Sequence, residues 1–288
     1  MRLFSTHSRL LRWNGAQGRV AAFALSAGVF GLMAGCSSGS AGAVKPLTPR
    51  MALTLAADQA QRVNSLAATI SVQVAGTMAE TTAGTVQIQL KPSLLIDEKL
   101  NVSAQGQQFP IEGILSPGAM YLKSPALSSV TGQAGKAWVE IPFSDLAGTA
   151  GSALSSLFQS VQNSNPLTQT KMLAASKNVR EAGTQVIDGV RTTHYVGTFT
   201  PSAALATLSP SLRKDLEPDM KLITSDIRFG AWVDGQHIVR KFTETETVTG
   251  GETVNVTMHV SAVNQPVHVT LPSASQVITP PQSALGSA

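Results

Sequence analysis

Along most of this chain the apolar residues recur at every second position. Ile70, Val72 and Val74 alternate with polar neighbours, and so do Val86, Ile88 and Leu90. A strand turns successive side chains to opposite faces, so this period predicts strands with one buried and one wet face. The same pattern predicts strands over residues 111–115, 120–123, 137–141, 193–199, 226–233, 238–247, 253–260 and 267–271. Asp188-Gly189, Asp234-Gly235 and Gly250-Gly251 are hairpin-turn pairs between them. Strands adjacent in sequence and joined by short turns imply an antiparallel meander.

Three stretches break this period. Thr48-Pro49 has the form of a helix start, with Thr at the N-cap and Pro at the first helical position. Met51, Leu55, Val63 and Leu66 then fall on one arc, with Leu53 outside it. Ser144 is placed to cap a helix over 145–162. Its apolar positions Leu146, Ala150, Ala153, Leu154, Leu157, Phe158 and Val161 span about 140° at 100° per residue. The opposite face of that helix is Gly, Ser, Thr and Gln, without charge after Asp145. Residues 166–175 and 201–216 predict two further helices, the second interrupted at Pro210.

The amino terminus follows another rule. Arg2, Arg9, Arg12 and Arg19 stand in a segment without acids, and the uncharged run VAAFALSAGVFGLM follows from Val20 to Met33. This is the n-region and h-region of a secretory signal. Fourteen helical residues rise about 21 Å, short of a hydrocarbon core of roughly 30 Å. Small residues Ala34 and Gly35 precede Cys36, the only cysteine of the 288 residues. The arrangement resembles a bacterial lipobox, with Met33 where the pattern prefers Leu. It implies cleavage before Cys36 and diacylation of its thiol by chains such as palmitate. An ordinary signal would leave a free thiol in an oxidising compartment. Gly35-Cys36-Ser37-Ser38-Gly39 also fits G-x-S-x-G, but a nucleophile elbow needs a strand before it and a helix after it, and neither is expected here. The expected organisation is a signal peptide over 1–35, a flexible Ser/Gly/Ala tether over 36–47, one domain over 48–279, and a disordered tail over 280–288.

The signal also explains the charge. It holds four of the 21 Lys and Arg and none of the 17 acids, so the remainder is balanced and the formal +4 does not argue for a nucleic-acid partner. A single cysteine excludes an internal disulfide framework and a thiolate zinc site. His194, His237, His259 and His268 lie in separate strand-like stretches without metal spacing, and only His194 has an acid nearby, Asp188. Asp97-Glu98 reads as a solvated turn, and Glu244 and Glu246, alternating with Thr, as the wet side of a strand. Trp138 and Trp232 sit within strands.

Several blocks carry more specific text. AMYLKSP precedes GKAWVEIPFSDL; NPLTQTKMLAAS runs into KNVREAGTQVIDGVRTTHYVGTF; IRFGAWVDGQHIVRKF and VNVTMHVSAVNQPVHVTLP follow. In this order, behind a lipobox, they resemble the LppX/LprG family of actinobacterial envelope lipoproteins. The resemblance covers roughly 48–279. It implies an α+β fold: a strongly curved antiparallel sheet, a half-barrel, with helices on its concave face, similar to the Lol-type lipoprotein carriers. It also implies a carrier rather than an enzyme, without cofactor or metal, on the extracytoplasmic face of the cell membrane. Its partners would be an acylated lipid or glycolipid, the membrane reached through a diacylglyceryl anchor on Cys36, and a lipid exporter. A non-carrier scaffold or a lipid-sensing domain on the same fold is the alternative. Met120, Leu122, Trp138, Leu154, Leu157, Phe158 and Trp232 are the apolar candidates for the cavity lining.

Overall fold

The computed structural model of the chain describes residues 47–76, 79–127, 137–145, 176–206 and 210–279. Helix α1, Pro49–Ala60, starts as the sequence predicts: Thr48 Oγ1 accepts a hydrogen bond from the Met51 amide at 3.3 Å. Its buried face differs from the expected arc. Ala52, Leu53, Ala56, Ala57 and Ala60 are buried while Met51 is 55% exposed, and the helix ends before Val63 and Leu66. Small residues let the helix backbone approach the sheet closely, and Leu53 supplies the bulk that fills the contact. Helices α2, Pro201–Ala206, and α3, Pro210–Met220, reproduce the interrupted pattern of 201–216.

The described residues form twelve strands in a single sheet. These are β1 Ser65–Ala75, β2 Glu80–Gln89, β3 Leu95–Ala104, β4 Gln107–Ser116, β5 Ala119–Lys123, β6 Trp138–Pro142, β7 Lys177–Ile187, β8 Val190–Phe199, β9 Ile227–Asp234, β10 Val239–Thr247, β11 Thr253–Val263 and β12 Val277–Ile278. Their order is β12-β6-β5-β4-β3-β2-β1-β11-β10-β9-β8-β7. All neighbours are antiparallel except β12, which runs parallel to β6. The sheet is open, with β12 and β7 at its edges. Asp188-Gly189 (φ 47° and 78°) and Gly250-Gly251 (φ 102° and 80°) take the left-handed geometry of tight turns. The turn after β9 instead places the positive φ on His237, with Asp234 Oδ1 accepting from the Gln236 and Ile238 amides. Residues 267–271, expected as a strand, lie outside the sheet.

Register assigns every strand residue to a face. Leu66, Ala68, Ile70, Val72 and Val74 of β1 share one face with Val86 and Ile88 of β2, Ile96 of β3 and Leu115 of β4. On the other side of β1 that face continues through Val254, Val256, Met258 and Val260 of β11, Phe242 of β10, Phe229 and Ala231 of β9, and Tyr195 of β8. We call this the inner face. The main core joins it to Ala52, Leu53 and Ala56 of α1 and Ala204 of α2. A second cluster, Ile70, Val72, Val74, Val254 and Val256, contains only strand residues among those described. Gly84 lets three strands meet at this point. A Cβ there would collide with the Lys99 carbonyl oxygen and lie 2.9 Å from Leu100 Cα.

Candidate functional site

The inner face supplies strand residues to both buried apolar clusters of the described residues. Toward the β3–β6 side it is incompletely closed: Leu100, Val102, Ile111, Met120, Leu122 and Ile141 keep accessible surface. Met120 packs against the main core, and Leu122 lies over Gly113, which has no side chain of its own to fill the space. Two residues predicted from the sequence therefore share this face. Trp138 and Trp232 do not. Trp138 pairs with the opposite parity of β6, and Lys123 Nζ sits 5.6 Å from its ring centroid. Trp232 lies on the outer face of β9, stacked on His194 at 3.9 Å and 7°, with Lys241 Nζ 4.8 Å away and its indole N–H donating to Gln185 Oε1 at 2.8 Å. Leu154, Leu157, Phe158 and Cys36 fall outside the described residues.

Gly230 makes the outer stack possible, because a Cβ there would come within 3.0 Å of His194 Nε2 and 3.1 Å of Trp232 Cζ3. His194 has cations as neighbours rather than Asp188. Burial first, then Lys241 and Arg180, hold its pKa below the ordinary imidazole value. Two further polar contacts lie on this face. Lys123 Nζ meets Glu112 Oε1 at 2.8 Å, and Tyr121 Oη donates to Glu140 Oε1 at 3.0 Å.

Besides Glu80 of β2, which pairs with Val74 and accepts from Thr82 Oγ1 at 3.4 Å, three glutamates of β3 and β10 stand on the inner face. Glu98 of β3 pairs with Val86 and Gly113; Glu244 of β10 pairs with Val256 and Phe229; Glu246 pairs with Val254. Glu98 and Glu244 lie deep in the protein yet retain accessible surface, while Glu246 is 6% exposed. Burial raises all three carboxyls: Glu98 to about 7, with Asp97 adding to the effect, Glu244 to about 8, with Glu246 adding, and Glu246 to about 7. Both expectations of solvated acids are corrected here. The signal was in the parity. Ile96, Glu98, Leu100 and Val102 share one face, as do Phe242, Glu244, Glu246 and Val248, so each glutamate replaces an apolar residue in an apolar row. The described residues contain no group of three or more His, Cys, Asp or Glu able to hold a metal ion. No described helix is long and apolar enough to cross a membrane.

No family model matches this chain. A 31.2 kDa protein of Streptomyces griseus is 29% identical over 161 residues, covering 53% of this chain and 50% of that one. The chain thus spans about half the length of that relative. Among solved structures, LprF from Mycobacterium bovis matches with a TM-score of 0.50 and 14% identity, over 78% of this chain and 97% of LprF. The lipoprotein LppX from Mycobacterium tuberculosis gives 0.45 and 17%, over 77% and 98%. The likeness to LprF extends over nearly its whole length and carries the conclusion about architecture: the chain has an LppX/LprG-like fold.

Proposed function

We propose that this chain is a lipid-anchored extracytoplasmic protein that binds acylated lipid on the inner face of its sheet. In this reading the sheet bends into a half-barrel, helices close its concave side, and acyl chains occupy the space left between them. The observation that carries the proposal is the inner face itself. Its rows are predominantly apolar through eight neighbouring strands, and Leu100, Ile111, Met120, Leu122 and Ile141 on β3–β6 retain accessible surface. An apolar surface enclosed but not filled by its own side chains favours acyl chains over water. The fold supports the same reading, since the lipoprotein-family structure LprF is among those it resembles. Among the lining candidates, Met120 and Leu122 stay in the proposal, with Leu154, Leu157 and Phe158 on the covering segment. Trp138 and Trp232 drop out by facing the other way.

Native mass spectrometry of the protein purified from its own host tests the proposal, with a bound acyl lipid as the expected result. Absence of lipid, together with no uptake of a fluorescent fatty-acyl probe, would refute it. A bound lipid that never passes between vesicles would select the sensing or scaffolding alternative over a carrier. The anchor has its own test: a palmitate analogue fed to the host labels the wild type and not Cys36→Ser, and equal labelling of both would remove Cys36 as the acylated residue.

A further inference from the structure

Helix α1 carries apolar side chains on two sides. Ala52, Leu53, Ala56, Ala57 and Ala60 are buried. Met51 and Leu55, one turn apart, lie on the side away from Ala56 and Ala60, where Met51 is 55% exposed and Leu55 half-buried. Leu47, just before the Thr48 cap, is 39% exposed and extends this stripe toward the amino terminus. The other exposed large apolar residues among those described lie elsewhere: Phe109 on β4, Val186 on β7 and Leu271 outside the sheet. Three side chains are too few for a stable contact with a second copy, which covers about 800 Å² on each partner. A surface already tethered to a bilayer needs far less, because its second contact is intramolecular. Eleven residue steps separate Cys36 from Leu47, at most about 40 Å fully extended. The stripe therefore begins where the tether from Cys36 ends. Its polarity follows the same direction. Arg50, exposed on the first turn, flanks the apolar residues nearest the tether, and exposed Asp58 stands one turn beyond Leu55.

We infer that the first two turns of α1, with Leu47, Met51 and Leu55, dock on the lipid surface that holds the anchor. The inference rests on the reading of Cys36 as the acylated residue. Leu47 and Met51 enter the boundary between headgroups and acyl chains, which removes their apolar surface from water. The Arg50 guanidinium has donors to spare for lipid phosphates beside the one that Nη2 gives to the Ser176 carbonyl at 3.2 Å. Asp58 keeps the later turns of the helix in water. The Arg50–Ser176 bond also fixes this end of α1 beside the start of β7. Docking therefore turns the start of β7 toward the bilayer and the Asp188-Gly189 turn away from it. An acyl anchor alone leaves the domain free to rotate about its tether, whereas the stripe selects the side that meets the membrane.

The test uses the protein as its own host processes it, reconstituted on vesicles of phosphatidylcholine and phosphatidylglycerol. An acylated Cys36 has no free thiol, so Met51→Cys and Val186→Cys each take a single nitrobenzoxadiazole label. Val186 is 63% exposed and lies ten residues along β7 from Ser176, roughly 30 Å at strand rise. With nitroxide-labelled phosphatidylcholine in the vesicles, the label at 51 should lose at least about half its emission and the label at 186 less than about a tenth. Leu47→Glu, added to the labelled Met51→Cys protein, should weaken that quenching by about twofold or more while the protein still floats with the vesicles. Equal quenching at the two positions, or none at either in protein that floats, overturns the docking and leaves the anchor standing. Quenching at 51 that Leu47→Glu leaves unchanged overturns the stripe as its cause. Shielding of the label at 51 that follows protein concentration rather than nitroxide lipid assigns the stripe to a second copy and overturns the docking too. Wild-type protein that stays behind when the vesicles float overturns the anchor and the docking together.

Discussion

Glu98 and Glu112 sit on adjacent strands of one sheet and meet opposite fates. Glu112 faces outward on β4, where Lys123 Nζ binds it at 2.8 Å with both side chains about 40% exposed. Glu98 faces inward on β3 beside Val86 and Gly113, without a partner among the described residues, its carboxyl raised to about 7. Neither composition nor local sequence separates them. Strand parity does, because a one-residue step along a strand exchanges solvent for core. The outer face treats charge as surface chemistry, by pairing and stacking. The inner face holds charge where only a protonation change or a ligand can relieve it.

The largest test of this contrast is the pH dependence of stability. An inner-face glutamate is protonated in the folded protein up to its raised pKa, but ionises near 4.5 once unfolded. Between those values the unfolded state binds fewer protons, so stability falls as pH rises, at up to about 1.4 kcal/mol per pH unit for each group. Unfolding free energy should therefore drop by several kcal/mol between pH 5 and pH 8 and level off above the folded pKa of about 8 for Glu244. Glu244→Gln with Glu246→Gln should remove much of that slope, and Glu98→Gln part of the rest, in chemical denaturation across pH. A wild-type profile that rises from pH 5 to 8 would contradict the inward placement.

Next in size is the helix-covered part of the inner face. Leu53 is 1% exposed in the main core. Leu53→Ala should cost about 2–5 kcal/mol, the usual range for a buried leucine, with no change in the slope with pH. Met51→Ala, two residues earlier and 55% exposed, should cost under about 0.5 kcal/mol. A reversed order would return the helix to the Met51–Leu55 arc that its sequence suggests.

How much of this was legible follows from the same two faces. Strands with a clean apolar row, such as β1 with Ile70, Val72 and Val74, were readable because burial and alternation coincide. β3 was not: Glu98 interrupts its inner row, and the strand and its buried acid were lost together. β7 was missed for a different reason. It is an edge strand exposed along most of its length, with two irregularities in its pairing, so no face imposes a period. Trp138 and Trp232 stand among the lining candidates of the sequence because large aromatics usually turn inward. Here Lys123, Lys241 and His194 cover them on the outside instead. Residue type alone does not give the face: Met120 and Leu122 share the inner row because β5 pairs them with Leu115 and Gly113, whereas Trp138 and Trp232 have the other parity.

The outer stack gives a smaller effect. Lys241→Met should remove about 0.5–1 kcal/mol of cation–ring attraction to Trp232. It should also raise the pKa of His194, since Lys241 is one of the two cations that depress it. An NMR titration of the His194 ring reads this directly, and an unchanged midpoint would separate Lys241 from the stack.

The smallest expected effect is the most discriminating control. Glu112→Gln breaks an ion pair whose partners both reach water, and such pairs are worth about 0.2–1 kcal/mol, less as salt increases. A double-mutant cycle with Lys123→Met isolates that coupling from the contact of Lys123 with Trp138. The coupling should fall within this range and fade between low and high salt, because water and counterions reach both groups. The pH slope contributed by Glu98 should survive the same change in salt, because its field lines run through protein. If salt erased both alike, Glu98 would be as wet as Glu112 and the two faces of the sheet would not differ. If it erased only the first, one strand step between otherwise equivalent acids would account for the whole difference.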